Sequence, residues 1–217
     1  GDDQRLLSAN PGEVLANPTD EPPWFVVEPK LEGLRPHRWP CRLLKVTILK
    51  QLTVQGHVGS YVRASCLRIE AELDASMLLG EQGGRVAAVI QQSSQLTPDQ
   101  MRVMAAGRHA DAAAVAEAVR ARAASVPRRY GFRDVNQVPS AIGNAEFIIG
   151  TLLHERLSTA LGASAFEADG EDSYLAEPWA SAARALCEQA LAVGAQELMS
   201  DADRHVLTQA WQRCGLA

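Results

Sequence analysis

The chain has 217 residues, of which 47% are hydrophobic, 22% charged and 5% aromatic. This composition excludes the collagenous, disulfide-dense and intrinsically disordered classes. No apolar run reaches the ~20 residues that cross a bilayer, because Lys45, Lys50, Arg63 and His154 interrupt the longest candidates, so no membrane span is expected. The formal net charge of −5 conceals a segregation: residues 1–34 carry −5, residues 35–133 carry +8 and residues 134–217 carry −8.

Lys30, Lys45 and Lys50 stand against eighteen arginines, so the positive charge sits almost entirely on planar guanidinium forks suited to carboxylates and phosphates. Cys41, Cys66, Cys187 and Cys214 are scattered, with no CxxC pair to suggest zinc. They read as reduced, buried thiols, which favours a cytoplasmic setting.

Residues 1–40 hold seven of the eleven prolines, a density that blocks helix and central strand. They read as an extended arm. Its apolar patch Trp24, Phe25, Val26 and Val27 suits one edge strand or a strap over a groove, and these four are the candidate partner-binding residues. From residue 41 onward the spacing reads as mainly α: one bundle-like domain of six to eight helices over 41–217, basic in 41–133 and acidic in 134–217. The arm in front of it has at most one or two short strands.

Within 41–55, Leu44, Ile48 and Leu52 recur at helical spacing while Val46-Thr47-Ile48 favours a strand; the reading adopted is helix. Val62, Cys66, Ile69, Leu73 and Met77 predict a helix over 60–79, with the Gly80–Gly84 stretch as its stop. Residues 85–92 form a short apolar segment. Thr97-Pro98-Asp99-Gln100 is a capping box with proline in the first turn, which predicts a helix to Gly107 and a second from Asp111 to Ser125. Residues 126–142 read as a loop. Asn144 is expected to cap a helix through Leu161, with Gly162 at its stop. Glu167–Asp172 reads as a solvated acidic loop, Trp179 begins a helix behind Pro178, and Ser200 caps the last helix, which buries Val206, Leu207, Ala210 and Trp211.

Lys30-Leu31-Glu32-Gly33-Leu34-Arg35 resembles the KxDGxR nucleophile motif of ATP-dependent DNA ligases and related nucleotidyltransferases, in which the lysine attacks the nucleotide phosphate. Glu32 stands where that family has Asp, and no lysine follows Lys50, so the segment is read as part of the arm. Leu96–Met104, a glycine turn and a second helix resemble the opening of a helix-turn-helix. There Arg102, Arg108, Arg120, Arg122, Arg128, Arg129 and Arg133 supply phosphate contacts, and Tyr130 and Phe132 supply stacking surfaces.

No GxSxG, P-loop, GxGxxG, HExxH or Glu-x-x-His pair occurs, so no catalytic residue, metal ligand or cofactor is assigned. The function expected by elimination is a noncatalytic helical interaction protein, an assembly subunit or adaptor that packs on itself or on another protein subunit. The alternative is a DNA- or RNA-binding protein using the arginine-rich middle, and the third reading is an enzyme of unrecognised class, since catalytic groups assemble from distant positions.

Overall fold

The structure, a computed structural model, describes residues 4–53, 61–125, 138–170 and 172–216. It overturns the mainly helical fold class: among these residues seven helices share the chain with six strands in two sheets. The chain divides into two compact units, Gly1–Arg35 with Pro40–Ala75 and Pro36–Trp39 with Ser76–Ala217.

The first unit is a sheet. A short helix α1 (Gln4–Ser8) precedes β1 (Val14–Ala16), β2 (Phe25–Val27), β3 (Leu43–Leu52) and β4 (Val62–Leu73). The helices expected over 41–55 and 60–79 are therefore the strands β3 and β4, the latter followed by a 3-10 turn at Ala75–Leu79. The proline-rich segment is not an arm with at most one or two strands on a helical domain, because β1 and β2 are both built into this sheet. All partners are antiparallel to β4: β3 pairs with it from Arg63 to Leu73, while β1 pairs with Cys66–Arg68 and β2 with Val62–Ala64. A strand has two sides, so β4 is central, β1 and β2 follow one another along one side, and β3 forms the opposite edge.

The β-branched Val46-Thr47-Ile48 run fits a pleated, half-buried surface better than a helix. In β4 the buried Leu67 and Ile69 alternate with the exposed Arg68 and Glu70, the two-residue period of a sheet with one solvated face. The irregular spacing comes from register shifts between Lys45/Val46, Ile48/Lys50 and Lys50/Gln51, since each bulge changes the step between residues on one face. The inner face collects Leu15, Phe25, Ala64, Leu67 and Ile69 under Leu6 and Ala9. Arg42 ties α1 down by donating to the carbonyls of Leu6, Leu7 and Ala9 and to Glu72.

The second unit is helical: α2 (Gly83–Ser93), α3 (Pro98–Gly107), α4 (Ala112–Ser125), α5 (Val138–Leu161), α6 (Trp179–Gly194) and α7 (Asp201–Arg213), with a hairpin β5 (Phe166–Asp169) and β6 (Asp172–Leu175) between α5 and α6. The capping boxes of Thr97 with Gln100 and Ser200 with Asp203 both form, and Gly162 has φ +60 at the end of α5, where an αL residue closes a helix. Asn144 does not cap α5. It lies inside that helix, 1% exposed, and its Nδ2 donates to the Leu78 carbonyl. The acidic loop is a hairpin, with Asp169 opposite Asp172 and Gly170 at φ +65. Glycine adopts this left-handed backbone without a Cβ clash.

Helix α6 is the centre of the unit. Trp179, Ala182, Ala185, Leu186, Glu188, Gln189, Ala190, Leu191 and Ala192 are all buried along it, and α2, α3, α5 and α7 pack around it. Its alanines let neighbouring backbones approach, and the main core adds Ile90, Met101, Met104, Ile149, Leu153 and Trp211.

Backbones approach closely where α2 begins, and a Cβ on Gly83 would lie 1.9 Å from the Ser76 carbonyl oxygen. Backbone must move to admit it, so Gly83→Ala is expected to lower stability by about 1–3 kcal/mol. Urea unfolding of the two chains checks this.

Candidate functional site

Two features of the sheet unit and two of the helical unit bear on function. In the sheet unit, the outer side of β3 carries no other strand among the described residues. About every second residue of the strand thus turns its backbone donor and acceptor outward. Lys45, Thr47 and Leu49 are exposed along it, and Lys50 reaches the Asp20 carboxylate at 2.7 Å. That contact holds the Asp20 carboxyl below the usual carboxylate range.

The candidate partner-binding residues form β2 and its approach. Phe25, 4% exposed, is core, and Val27 packs beside it. Val26 points outward at 61% exposure, and Val14 on β1 is 52% exposed. Trp24 donates from Nε1 to the Asp20 carbonyl at 2.8 Å, and the Arg63 guanidinium lies 4.7 Å from its ring centre and 5.6 Å from that of Tyr61. Phe25 and Val27 are thus integral to the sheet, and the outward surface is Val26 with the Trp24–Arg63 stack. Leu31–Gly33 of the lysine-containing motif forms a 3-10 turn.

In the helical unit, the helices expected to Gly107 and from Asp111 to Ser125 form as α3 and α4, and the arginines they carry are engaged. Arg102 donates to Asp99 at 2.6 Å and lies over the Trp179 ring. Arg108 grips Glu188 through Nε at 3.0 Å and Nη2 at 2.5 Å. Arg120 binds Glu146 at 2.6 Å, and Arg122 binds Asp203 at 3.0 Å and the Leu198 carbonyl at 2.8 Å. Three of the four therefore point into carboxylates of the acidic half. Arg128, Arg129, Tyr130, Phe132 and Arg133 lie outside the described residues.

The fourth feature is an apolar cleft of about 120 Å³ between the start of α2, the first half of α5 and the second half of α6. Leu79, Val86, Ala141, Ile142, Ala190 and Leu191 line it, with Glu146 and the Cys187 thiol in its wall. It has room for a short alkyl group, since a cavity of ~150 Å³ holds benzene. Burial, aided by the charge of Glu146, pushes the Cys187 thiol up to about 12, so at neutral pH the sulfur is protonated and a poor nucleophile. Among the described residues no three His, Cys, Asp or Glu side chains gather as a metal site would require, and no helix is long and apolar enough to cross a membrane.

Sequence reasoning passed over the β3 edge and the acidic hairpin. Each had a signal: the β-branched run at Val46-Thr47-Ile48, and the Asp169-Gly170 turn. Compared with protein-family models, with characterised proteins and with solved structures, the chain matches none.

Glu188 is the one buried charged residue among those described, and its side chain is 4% exposed against 18% for Arg108. Removing the cation strands a carboxylate in the core, so Arg108→Ala is expected to cost about 3–5 kcal/mol, while Arg108→Met with Glu188→Leu recovers most of it. Guanidinium unfolding of the single and double variants measures both. Iodoacetamide at pH 8 is expected to leave Cys187 unmodified in the folded chain and to label it once guanidinium unfolds the protein; peptide mass mapping reads the site.

Proposed function

We infer that the protein is a noncatalytic interaction protein, an assembly subunit or adaptor, that engages its partner by strand addition at β3. The observation that carries this reading is the ten-residue edge strand with an open outer side. Unpaired N–H and C=O groups in a row are a template for another extended chain, which gains main-chain hydrogen bonds along its length. The surroundings support the same reading. Leu49 leaves apolar area exposed on β3 itself, where a partner's side chains have something to cover. The ion pairs of Arg108, Arg120 and Arg122 occupy cations that a polyanion would otherwise neutralise.

Nucleic-acid binding is kept as the second reading on one observation: Arg63 lies against Trp24 and Tyr61, with Arg68 and Lys45 elsewhere on the same sheet. Cations beside aromatic rings are the equipment of single-strand binders.

Amide hydrogen exchange on the full chain tests the edge. Alone, β3 is expected to exchange faster than β4; with a partner retained from extract by the immobilised chain, the amides of Leu43–Leu52 slow. Leu49, which the pairing with β4 skips, is the position for an edge-blocking proline. Leu49→Pro and, separately, Thr47→Asp are expected to keep the circular dichroism spectrum and lose that partner. Equal retention by both variants, with no slowing at β3, overturns the reading. A labelled single-stranded oligonucleotide that binds, and weakens steeply with salt, puts the second reading in its place.

A further inference from the structure

We propose that the occupant of the β3 edge is the β5–β6 hairpin of a second copy of this chain. The inference rests on the reading of β3 as an interaction edge and adds the identity of the partner.

Strand β3 itself carries Lys45 and Lys50 and no acidic residue, with Asp20 on Lys50 and Glu72 of β4 opposite Leu44. From Gly33 to Ile69 the sequence contains no Asp or Glu, and the exposed Lys45 has no ion pair among the described residues. The hairpin is its chemical opposite: four of the six residues from Glu167 to Asp172 are acidic. It also stands out from its unit. Glu167, Ala168, Asp172, Ser173 and Tyr174 are exposed, Tyr174 at 56%, while only its base, Phe166 and Leu175, packs against the helical core. A two-stranded ribbon on its own is marginal in water and gains stability from a third strand. Each element therefore lacks what the other supplies: a strand with open hydrogen-bonding groups, and a charge of opposite sign beside them.

Pairing of β3 with β3 of another copy is the simpler alternative, and charge argues against it. It brings two copies of Lys45 and Lys50 into one ladder with no carboxylate on either strand, and like charges across a ladder destabilise it. Lys50 is partly spared by Asp20; Lys45 is not. Against the hairpin, Lys45 meets the carboxylates of Glu167 and Asp172.

Two physical properties follow. A four-residue strand covers about 13 Å of an edge about 33 Å long, so the contact is small and its association weak and reversible. Edge and hairpin are different surfaces and every copy carries one of each, so the contact forms either reciprocally in a two-fold dimer or head to tail in rings and chains.

Sedimentation of the full chain over a range of concentrations reads this directly. The wild type is expected to associate with rising concentration, and about tenfold more weakly in 0.5 M salt than at low ionic strength. Lys45→Glu and Glu167→Lys are each expected to lower the association constant about tenfold, whereas Glu81→Lys, on the helical unit away from the hairpin, leaves it unchanged. The double variant Lys45→Glu with Glu167→Lys restores association, and so does an equimolar mixture of the two single variants. All positions changed are exposed, and circular dichroism confirms that each chain folds. A monomer at every concentration, association indifferent to Glu167→Lys, or singles that fall without rescue by the exchange overturns the proposal. If the wild type stays monomeric while Leu49→Pro still loses a captured partner, the hairpin fails and the edge reading stands. If both tests fail, the edge reading itself is wrong.

Discussion

Burial of most of α6 is the constraint on which the helical unit depends. A helix so enclosed keeps little polar face, and α6 meets this with alanine along much of its length, leaving Arg184 exposed. Small side chains bring α2, α3, α5 and α7 close; α6 gives Leu191 and Ala192 to a smaller cluster with α4 and α7, and Trp179, Ala182, Ala185, Leu186 and Ala190 to the main one. One ionised group enters this cluster, and the low-dielectric interior then fixes its partner: the Glu188 carboxylate requires a cation with two donors, and Arg108 supplies a forked contact. A guanidinium so committed is removed from the surface chemistry of the protein. The same logic, at lower burial, takes Arg120 to Glu146 and Arg122 to Asp203.

The sheet unit is organised differently. One central strand, β4, carries every pairing, and a small inner core under a five-residue helix holds it. Edge strands of this length are ordinarily shortened, covered, bulged or charged, because an open ladder invites pairing with other chains. β3 uses two of these devices, its register shifts and its lysines. It is notable that a chain with only three lysines places two of them here. Such charges repel a second basic edge without closing the ladder to an acidic one, so they act as a selector as much as a guard.

What the sequence disclosed tracks the range of the interactions involved. Helices α3 and α7 were legible from their caps, since Thr97 with Gln100 and Ser200 with Asp203 act over three residues. The strand β2 was legible from the proline-bounded apolar patch around Phe25. β3 and β4 were misread because bulges break strict alternation and leave Val62, Cys66, Ile69 and Leu73 at spacings a helix shares. Only Ile69 of these four is buried; Ala64 and Leu67 carry the core instead. Asn144 sits before an apolar stripe as a cap would, and its true partner, the Leu78 carbonyl, lies 66 positions away. The arginine contacts join residues 80, 26 and 81 positions apart, distances over which composition says nothing about who meets whom.

The charge blocks read from the sequence resolve into two different outcomes in the fold. Between α3, α4 and the later helices, opposite blocks meet inside one unit and cancel pair by pair. Around β3 and the β5–β6 hairpin they do so only in part: Lys50 meets Asp20, whereas Lys45 stands on an exposed edge and Glu167 and Asp172 on an exposed hairpin. Charges that find partners within the chain add order to the core, whereas charges left at strand edges act on whatever approaches. Screening over about 8 Å at physiological salt confines that action to near contact, so its effect is to choose among strands already close enough to pair. Hydrogen bonds along the ladder would then supply the attraction, and the lysine and the carboxylates the discrimination.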